Sequence, residues 1–411
     1  MSETFDGSGA AELLAELVRI PSPYFHEDRI MDFAHGWMKR EGVPAEFHRF
    51  HERKVHDYRG TNVIGSIEGG LPGPVVVLNG HLDTVKVCEG WTRDPYGASI
   101  EGSRMYGVGA CDMKGGCASI MLALREFAKD ASPFGGRILY SLVCDEEGPF
   151  GLGTDALILD GIIPEEADVA VITEPSSAFA GVGFPSMCLG ARGGWNYSIR
   201  VRGRSAHGAQ PGNGINAVNE AAKILLELEK AELEPHEKLG PGSLCCVDFH
   251  GGGAALSVPD EAVFSVFRHV VVGETKETVL REAEEAIERA GIKGIAEVRF
   301  REAPHDECDG FPAYVIPEDD PYVLEMADVM RDVTGREPEF GYFSSVGDFC
   351  YIGGRLNIPT LVVGPQGGNF HAADEFVDLD TVSATTRIIH DFLCRLTGRK
   401  RGDRKKSNMG K

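Results

Sequence analysis

Apolar side chains recur along this chain with two different periods. Across residues 8–20 and 26–41 they return every three to four positions, the spacing of a helix with one buried face. An irregular polar link begins over His51 to Lys54. Near-continuous apolar runs follow at Asn62–Ile67, Pro74–Asn79, Arg137–Cys144 and Asp168–Thr173. Helical spacing returns between them from Lys114 to Lys129 and briefly after Gly153. Strands that are apolar at nearly every position are covered on both faces, so the pattern predicts an α/β domain on a doubly wound, mostly parallel sheet.

The rhythm changes near Gly190. "GGWNYSIRVRG" alternates like a strand with one exposed face, and Ile215–Ala231 is an amphipathic helix. "SLCCVDFHGG" and "EAVFSVFRHVV" read as two further strands, Glu274–Ala290 as a helix and "GIAEVRFRE" as a last strand. This βαββαβ order is a split βαβ, ferredoxin-like unit. After Pro304 the first rhythm resumes with a helix at Pro321–Thr334, a strand at Thr360–Val363 and a helix at Leu379–Leu396. The expected organisation is a catalytic domain in two pieces, 1–189 and 304–397, with an inserted domain over 190–303 and a basic, disordered tail over 398–411.

Composition narrows the partners. Lys plus Arg number 41 against 63 Asp plus Glu, a net charge of −22, and such a surface repels nucleic acid and anionic membranes. The acidic N-terminal stretch lacks the basic start and apolar core of a signal peptide, and no segment reaches membrane-spanning length. The ten cysteines show no CxxC spacing and are read as reduced thiols of a cytoplasmic protein.

The chemistry gathers where predicted strands end. "NGHLDTV" carries His81 and Asp83, "GVGACDMKGG" Asp112, "VCDEEGPFG" Glu146 and Glu147, "VITEPSS" Glu174 and "GGNFHAADEF" His371. Singly, each has a plainer reading: a hydrogen-bonded histidine, a helix cap, a solvated turn, a loop histidine. Together they place oxygen and nitrogen donors at the carboxyl edge of an open sheet, where ligands of such folds bind. Buried carboxylates are costly unless paired or bound to metal, and this donor set suits zinc, cobalt or manganese. Two such ions roughly 3.5–4 Å apart need a bridging carboxylate, and the set leaves another carboxylate for proton transfer.

In this order the motifs resemble those of the two-zinc amidohydrolases and peptidases that include acetylornithine deacetylase, succinyl-diaminopimelate desuccinylase, aminoacylase and glutamate carboxypeptidase. The resemblance runs from about Leu13 to Phe392. It implies that His81 and Glu174 hold one divalent metal, Glu147 and His371 the other, and that Asp112 bridges them. Asp83 would orient the His81 imidazole, and Glu146 would be the general base, taking the proton of a metal-bridging water. A cis bond after Asp112 is also implied. Glutamate at position 174 is the form of the deacylase and carboxypeptidase branch.

"GRSAHGAQPGNGINAV" resembles the family's lid motif, which implies that His207 donates to the developing oxyanion, often in a neighbouring subunit, and hence a homodimer. Asn213 stands in the same motif. Arg268, in "SVFRHVV", occupies a place where relatives hold a substrate carboxylate. Val266 stands where an aspartate is common, and "YFSSVGDFCY", with Ser344, Ser345 and Asp348, departs from the usual loop. Gly367 and Gly368 would let backbone approach a substrate. The implied activity is hydrolysis of an N-acyl amino acid. A carboxypeptidase or dipeptidase with the same metals is the alternative, and a non-catalytic binding protein the remote one.

Overall fold

The computed structural model describes residues 7, 9–254 and 256–399, so the basic segment from residue 400 onward lies outside the described residues. The chain divides into two compact units. One runs through Gly190 and includes Ile316–Phe343 and the chain from Gly347; the other comprises Ala191–Val315 and Ser344–Val346. The chain passes into the second unit after Gly190. The return comes after Val315, because the strand pair partner Gly310–Phe311 still adds to Gly193–Arg202.

In the first unit the apolar runs form the centre of a sheet. Phe134–Val143, Gly70–His81, Val169–Ile172 and Thr360–Val362 lie side by side and parallel. Parallel alignment brings their carboxyl ends to one edge. Val76, Leu78, Ile138, Leu142, Val169, Val171 and Leu361 are fully shielded between helices. Antiparallel strands flank this centre: Tyr58–Glu68 and then Glu46–Glu52 on one side, Ser186–Ala191 on the other. Helices Ala10–Val18, Gly115–Ala128 and Leu379–Leu396 bury their apolar faces. Lys114, fully buried, donates its amine to the carbonyls of Leu17 and Ile20 at 3.1 and 3.0 Å, closing the end of the first of these helices.

The polar link expected from His51 is, through Glu52, part of strand Glu46–Glu52. Its sequence, "EFHRFHE", has no apolar run, and the strand exists through its pairing with Tyr58–Glu68. A smaller sheet joins Gly367–Gly368, Phe376–Asp378, Arg104–Tyr106 and Ser99–Glu101. Its hairpin between Gly368 and Phe376 carries His371.

The second unit has the expected βαββαβ order. Its sheet runs Ser243–Gly252, Glu261–Val270, Gly193–Arg202, Ile295–Phe300, with every neighbour antiparallel. Helices Ala217–Leu228 and Lys276–Ala290 cover one face through Ala221, Ile224, Val279 and Ala283 against Ile199, Phe264 and Val266. Among the described residues no helix is long and apolar enough to cross a membrane. Arg399, expected to lie within the disordered tail, lies over the Phe127 ring at 4.0 Å and donates to the Ser132 carbonyl at 3.0 Å.

Candidate metal centre

Strand geometry delivers the polar groups. His81 is the last residue of Gly70–His81, with Leu82 packed in the core just beyond it. Glu146 and Glu147 follow Phe134–Val143 through a turn in which Asp145 adopts φ 58°, and Glu174 lies two residues past Val169–Ile172. His371, at φ 60°, sits in the hairpin after Gly368. Asp112 precedes helix Gly115–Ala128, and the Asp112–Met113 peptide is cis.

These groups meet. His81 Nε2 lies 3.3 Å from Asp112 Oδ1, 3.2 Å from Glu174 Oε1 and 3.8 Å from Glu146 Oε2. His371 Nε2 lies 3.4 Å from Asp112 Oδ2 and 2.9 Å from Glu147 Oε2. The two oxygens of Asp112 therefore face two different histidines. Behind His81, Nδ1 faces the Asp83 carbonyl at 3.1 Å and Asp83 Oδ1 at 3.6 Å, leaving Nε2 for the cluster. The same Asp83 carboxylate accepts the backbone N–H groups of Glu146 and Glu147 at 3.1 and 2.9 Å. One buried side chain thus fixes the histidine and the segment bearing both glutamates.

The electrostatics ask for positive charge. Burial disfavours a charged His81, but the Glu174 and Asp112 carboxylates outweigh it and raise its pKa well above the usual value. Hydrogen bonds to Asp112 and Glu147 lift His371 to about 11. Burial, followed by Asp112, raises Glu174, and burial with neighbouring carboxylates raises Glu146. Asp112 is the exception: burial alone would raise its carboxyl, but hydrogen bonds from His371 and His81 outweigh burial and hold it well below the usual carboxylate range.

Divalent cations fit this donor set. Ligand atoms of His81, Asp112 and Glu147 lie within 4.8 Å of one another, as do those of His81, Glu146 and Glu174. Two donors about 2.1 Å from a tetrahedral ion are about 3.4 Å apart. The separations from His81 Nε2 to Asp112 and Glu174 are close to that edge length. Glu174 Oε2, moreover, is buried with no hydrogen-bond partner among the described residues.

The sequence profile of peptidase family M20/M25/M40 matches residues 77–395. The chain belongs to that family. A curated relative, the succinyl-diaminopimelate desuccinylase of Gluconobacter oxydans, is 30% identical over 338 residues, covering 79% of this chain and 82% of its own. A tripeptidase from Staphylococcus aureus superposes with a TM-score of 0.76 at 20% identity, covering 95% of this chain and 99% of that one. A dinuclear metal-binding M20 peptidase of Bacillus subtilis gives 0.71 at 14% identity, covering 96% and 99%. This M20/M25/M40 member is a metal-dependent hydrolase of amide bonds.

The rest of the expected site lies in the second unit, apart from Gly368. His207 is exposed, its Nδ1 accepting the N–H of Ala209 at 3.1 Å, and Asn213 is exposed beside Gln210. Ser345 Oγ lies 3.3 Å from His269 Nε2, whose Nδ1 is 3.0 Å from Ser243 Oγ. Gly368 pairs with Phe376, and a Cβ there would sit 3.1 Å from that ring.

Arg268, expected to face a substrate, has its side chain inside its own domain. Its side chain is fully buried, with Nε and Nη2 each 2.9 Å from a Glu282 oxygen and Nη2 also 2.6 Å from Glu274. Alternation along the strand sends Arg268 to the helix-covered face and His269 to the other. The guanidinium expected to grip a substrate already grips its own domain.

Other contributors were invisible in sequence. Glu375 accepts the N–H groups of Gly109, Cys111 and Asp112 at 2.8, 2.9 and 3.1 Å, shaping the loop that presents Asp112. Glu27 accepts from Phe25 and Asp145 backbones and the Tyr58 hydroxyl at 2.8, 3.2 and 2.9 Å, bracing the turn before Glu146. The only sequence signal for Glu375 is its place four residues after His371.

Proposed function

We propose that this protein hydrolyses the amide bond of an N-acylated amino acid, with Glu146 as general base. His81 and Glu174 would hold one divalent metal and Glu147 and His371 the second, with Asp112 between them. The observation that carries the reading is Asp112 itself, whose two oxygens lie 3.3 and 3.4 Å from two separate imidazoles. Zinc is the proposed metal, with cobalt or manganese accepted by the same donors. When bound, such ions polarise a carbonyl and lower the pKa of water.

The chain's own groups supply the rest. Asp348 N–H donates to Glu146 Oε1 at 3.1 Å and so aims the carboxylate, leaving Oε2 on the His81 side. Glu146 takes the proton of the attacking water and returns it to the leaving nitrogen, releasing a carboxylate and an amine. Asp83 holds His81 in the tautomer that turns Nε2 toward the cluster. His207 is proposed to stabilise the oxyanion from the second unit acting as lid, within a homodimer. Thiols such as Cys111, Cys117 and Cys144, buried and not in disulfides, agree with a reducing, cytoplasmic setting.

Purified protein should contain close to two equivalents of metal by mass spectrometry and cleave N-acetylornithine or N-succinyl-diaminopimelate. A chelator should abolish turnover, and zinc, cobalt or manganese should restore it. Metal-restored protein that cleaves dipeptides and no N-acyl amino acid would replace this reading with the dipeptidase one.

A further inference from the structure

Beside the metal ligands lies a chain of aromatic rings that the hydrolytic machinery does not use. Phe370 immediately precedes His371, and their ring centres are 6.0 Å apart. Phe370 meets Phe179 edge-on at 5.6 Å, and Phe179 stacks on Phe343 at 4.0 Å with an interplanar angle of 15°. Phe343 in turn meets Phe349 at 5.9 Å. Phe349 is buried and anchors the row, while Phe179, Phe343 and Phe370 all remain partly exposed.

Each ring is tied by a short tether to a residue of the centre. Phe179 belongs to the helix Ser176–Ala180, which begins two residues after Glu174. Phe349 follows Asp348, whose N–H holds Glu146. Phe343 ends the strand Glu339–Phe343 that leads into the same loop. Close packing of that strand on the short helix explains the Phe179–Phe343 stack, since a Cβ on Gly341 would fall 2.2 Å from the Ala180 methyl. It does not require three rings to keep apolar surface open beside His371.

Resting on the function proposed above, we infer that these rings form a specificity subsite. It would take an aromatic or large aliphatic group next to the scissile amide. Such a group loses water against Phe179, Phe343 and Phe370 and gains ring contacts. A dicarboxylic acyl group, such as the succinyl in the relatives' name, would be stripped of water against these rings.

The test measures kcat/KM on two series with the metal-loaded protein. One is N-acetyl, N-succinyl, N-hexanoyl and N-benzoyl alanine; the other is N-acetyl derivatives of phenylalanine, leucine, glutamate and lysine. In at least one series the aromatic or long aliphatic member should exceed the charged one by about tenfold or more. Phe343→Ala and Phe179→Ala should reduce that ratio about tenfold, chiefly through KM, and Phe343→Leu and Phe179→Leu should restore part of it. Charged members preferred in both series, or an apolar preference that survives all four substitutions, would overturn the inference while leaving the hydrolase reading intact. No cleavage in either series by protein that still cleaves N-acetylornithine or N-succinyl-diaminopimelate would overturn the inference alone, and no cleavage of those two substrates either would remove the hydrolase reading with it.

Discussion

Arg268 gives the sharpest test of how strand geometry assigns roles. Replacing it with leucine removes a fully buried cation and leaves Glu282 and Glu274 facing each other's charge, with their partner gone. Burial opposes the guanidinium's charge, but both carboxylates hold it in place. Breaking a buried ion pair by deleting one partner costs about 3–5 kcal/mol. For a folded region of this size that corresponds to roughly 10 °C or more in melting temperature. Arg268→Lys, which keeps the charge but not the two-pronged grip on Glu282, should recover only part of the loss. Arg268→Leu combined with Glu282→Leu should recover more, because one orphaned carboxylate is removed. Calorimetry of the four proteins gives these values, and KM for an N-acyl amino acid measured well below the melt gives the functional side. KM should stay within about threefold of wild type, since the group does not reach substrate. An unchanged melt with KM raised about tenfold or more would refute the argument and restore Arg268 as the substrate's grip.

Glu146→Gln should lower kcat by about 100-fold or more while metal content stays near that of the wild type, and loss of metal along with activity would make Glu146 a ligand instead. Glu375→Ala leaves the N–H groups of Gly109, Cys111 and Asp112 without their shared acceptor. It should lower metal affinity about 10- to 100-fold, read by competition with a chromogenic chelator, and lower the stability of the metal-free protein. His390 concerns stability alone: burial pulls its pKa down, yet hydrogen bonds to Asp391 and Cys394 lift it from 6.5 to about 9. The protonated form is thus favoured by folding, which contributes up to about 3 kcal/mol below pH 6.5 that is lost as pH rises through 9. Urea melts of His390→Gln should therefore show their largest deficit near pH 6 and almost none at pH 10.

The parallel strands were legible because burial on both faces leaves a continuous apolar signature, and Gly70–His81 and Val169–Ile172 carry it almost undiluted. That legibility extends to the polar centre for a geometric reason. Once four strands are parallel, whatever follows each of them lands on one edge, and His81, Glu146, Glu147 and Glu174 need no further information to meet, whereas His371 reaches them from the hairpin of the smaller sheet. Edge strands carry no such signature. Glu46–Glu52 is a strand because of what it pairs with, so its polar end from His51 reads as a link by pattern alone.

Side-chain roles failed to be legible where one position of register, or one backbone donor, decides them. Within "SVFRHVV" either Arg268 or His269 could face the exposed side of the sheet, and a slip of one residue exchanges them. The structure settles this through the helix Lys276–Ala290, which places Glu282 opposite Arg268. His269 then faces away, 3.3 Å from Ser345, in the loop that three residues later supplies the N–H for Glu146. Glu375 is hidden for the complementary reason, since its partners are backbone amides that have no identity in sequence. The proposed metal ligands His81, Glu147 and Glu174 and the proposed base Glu146 are therefore positioned by topology, which the apolar pattern encodes over long stretches. The groups that aim them depend on local parity and on loops, as Arg268, His269 and Glu375 each show.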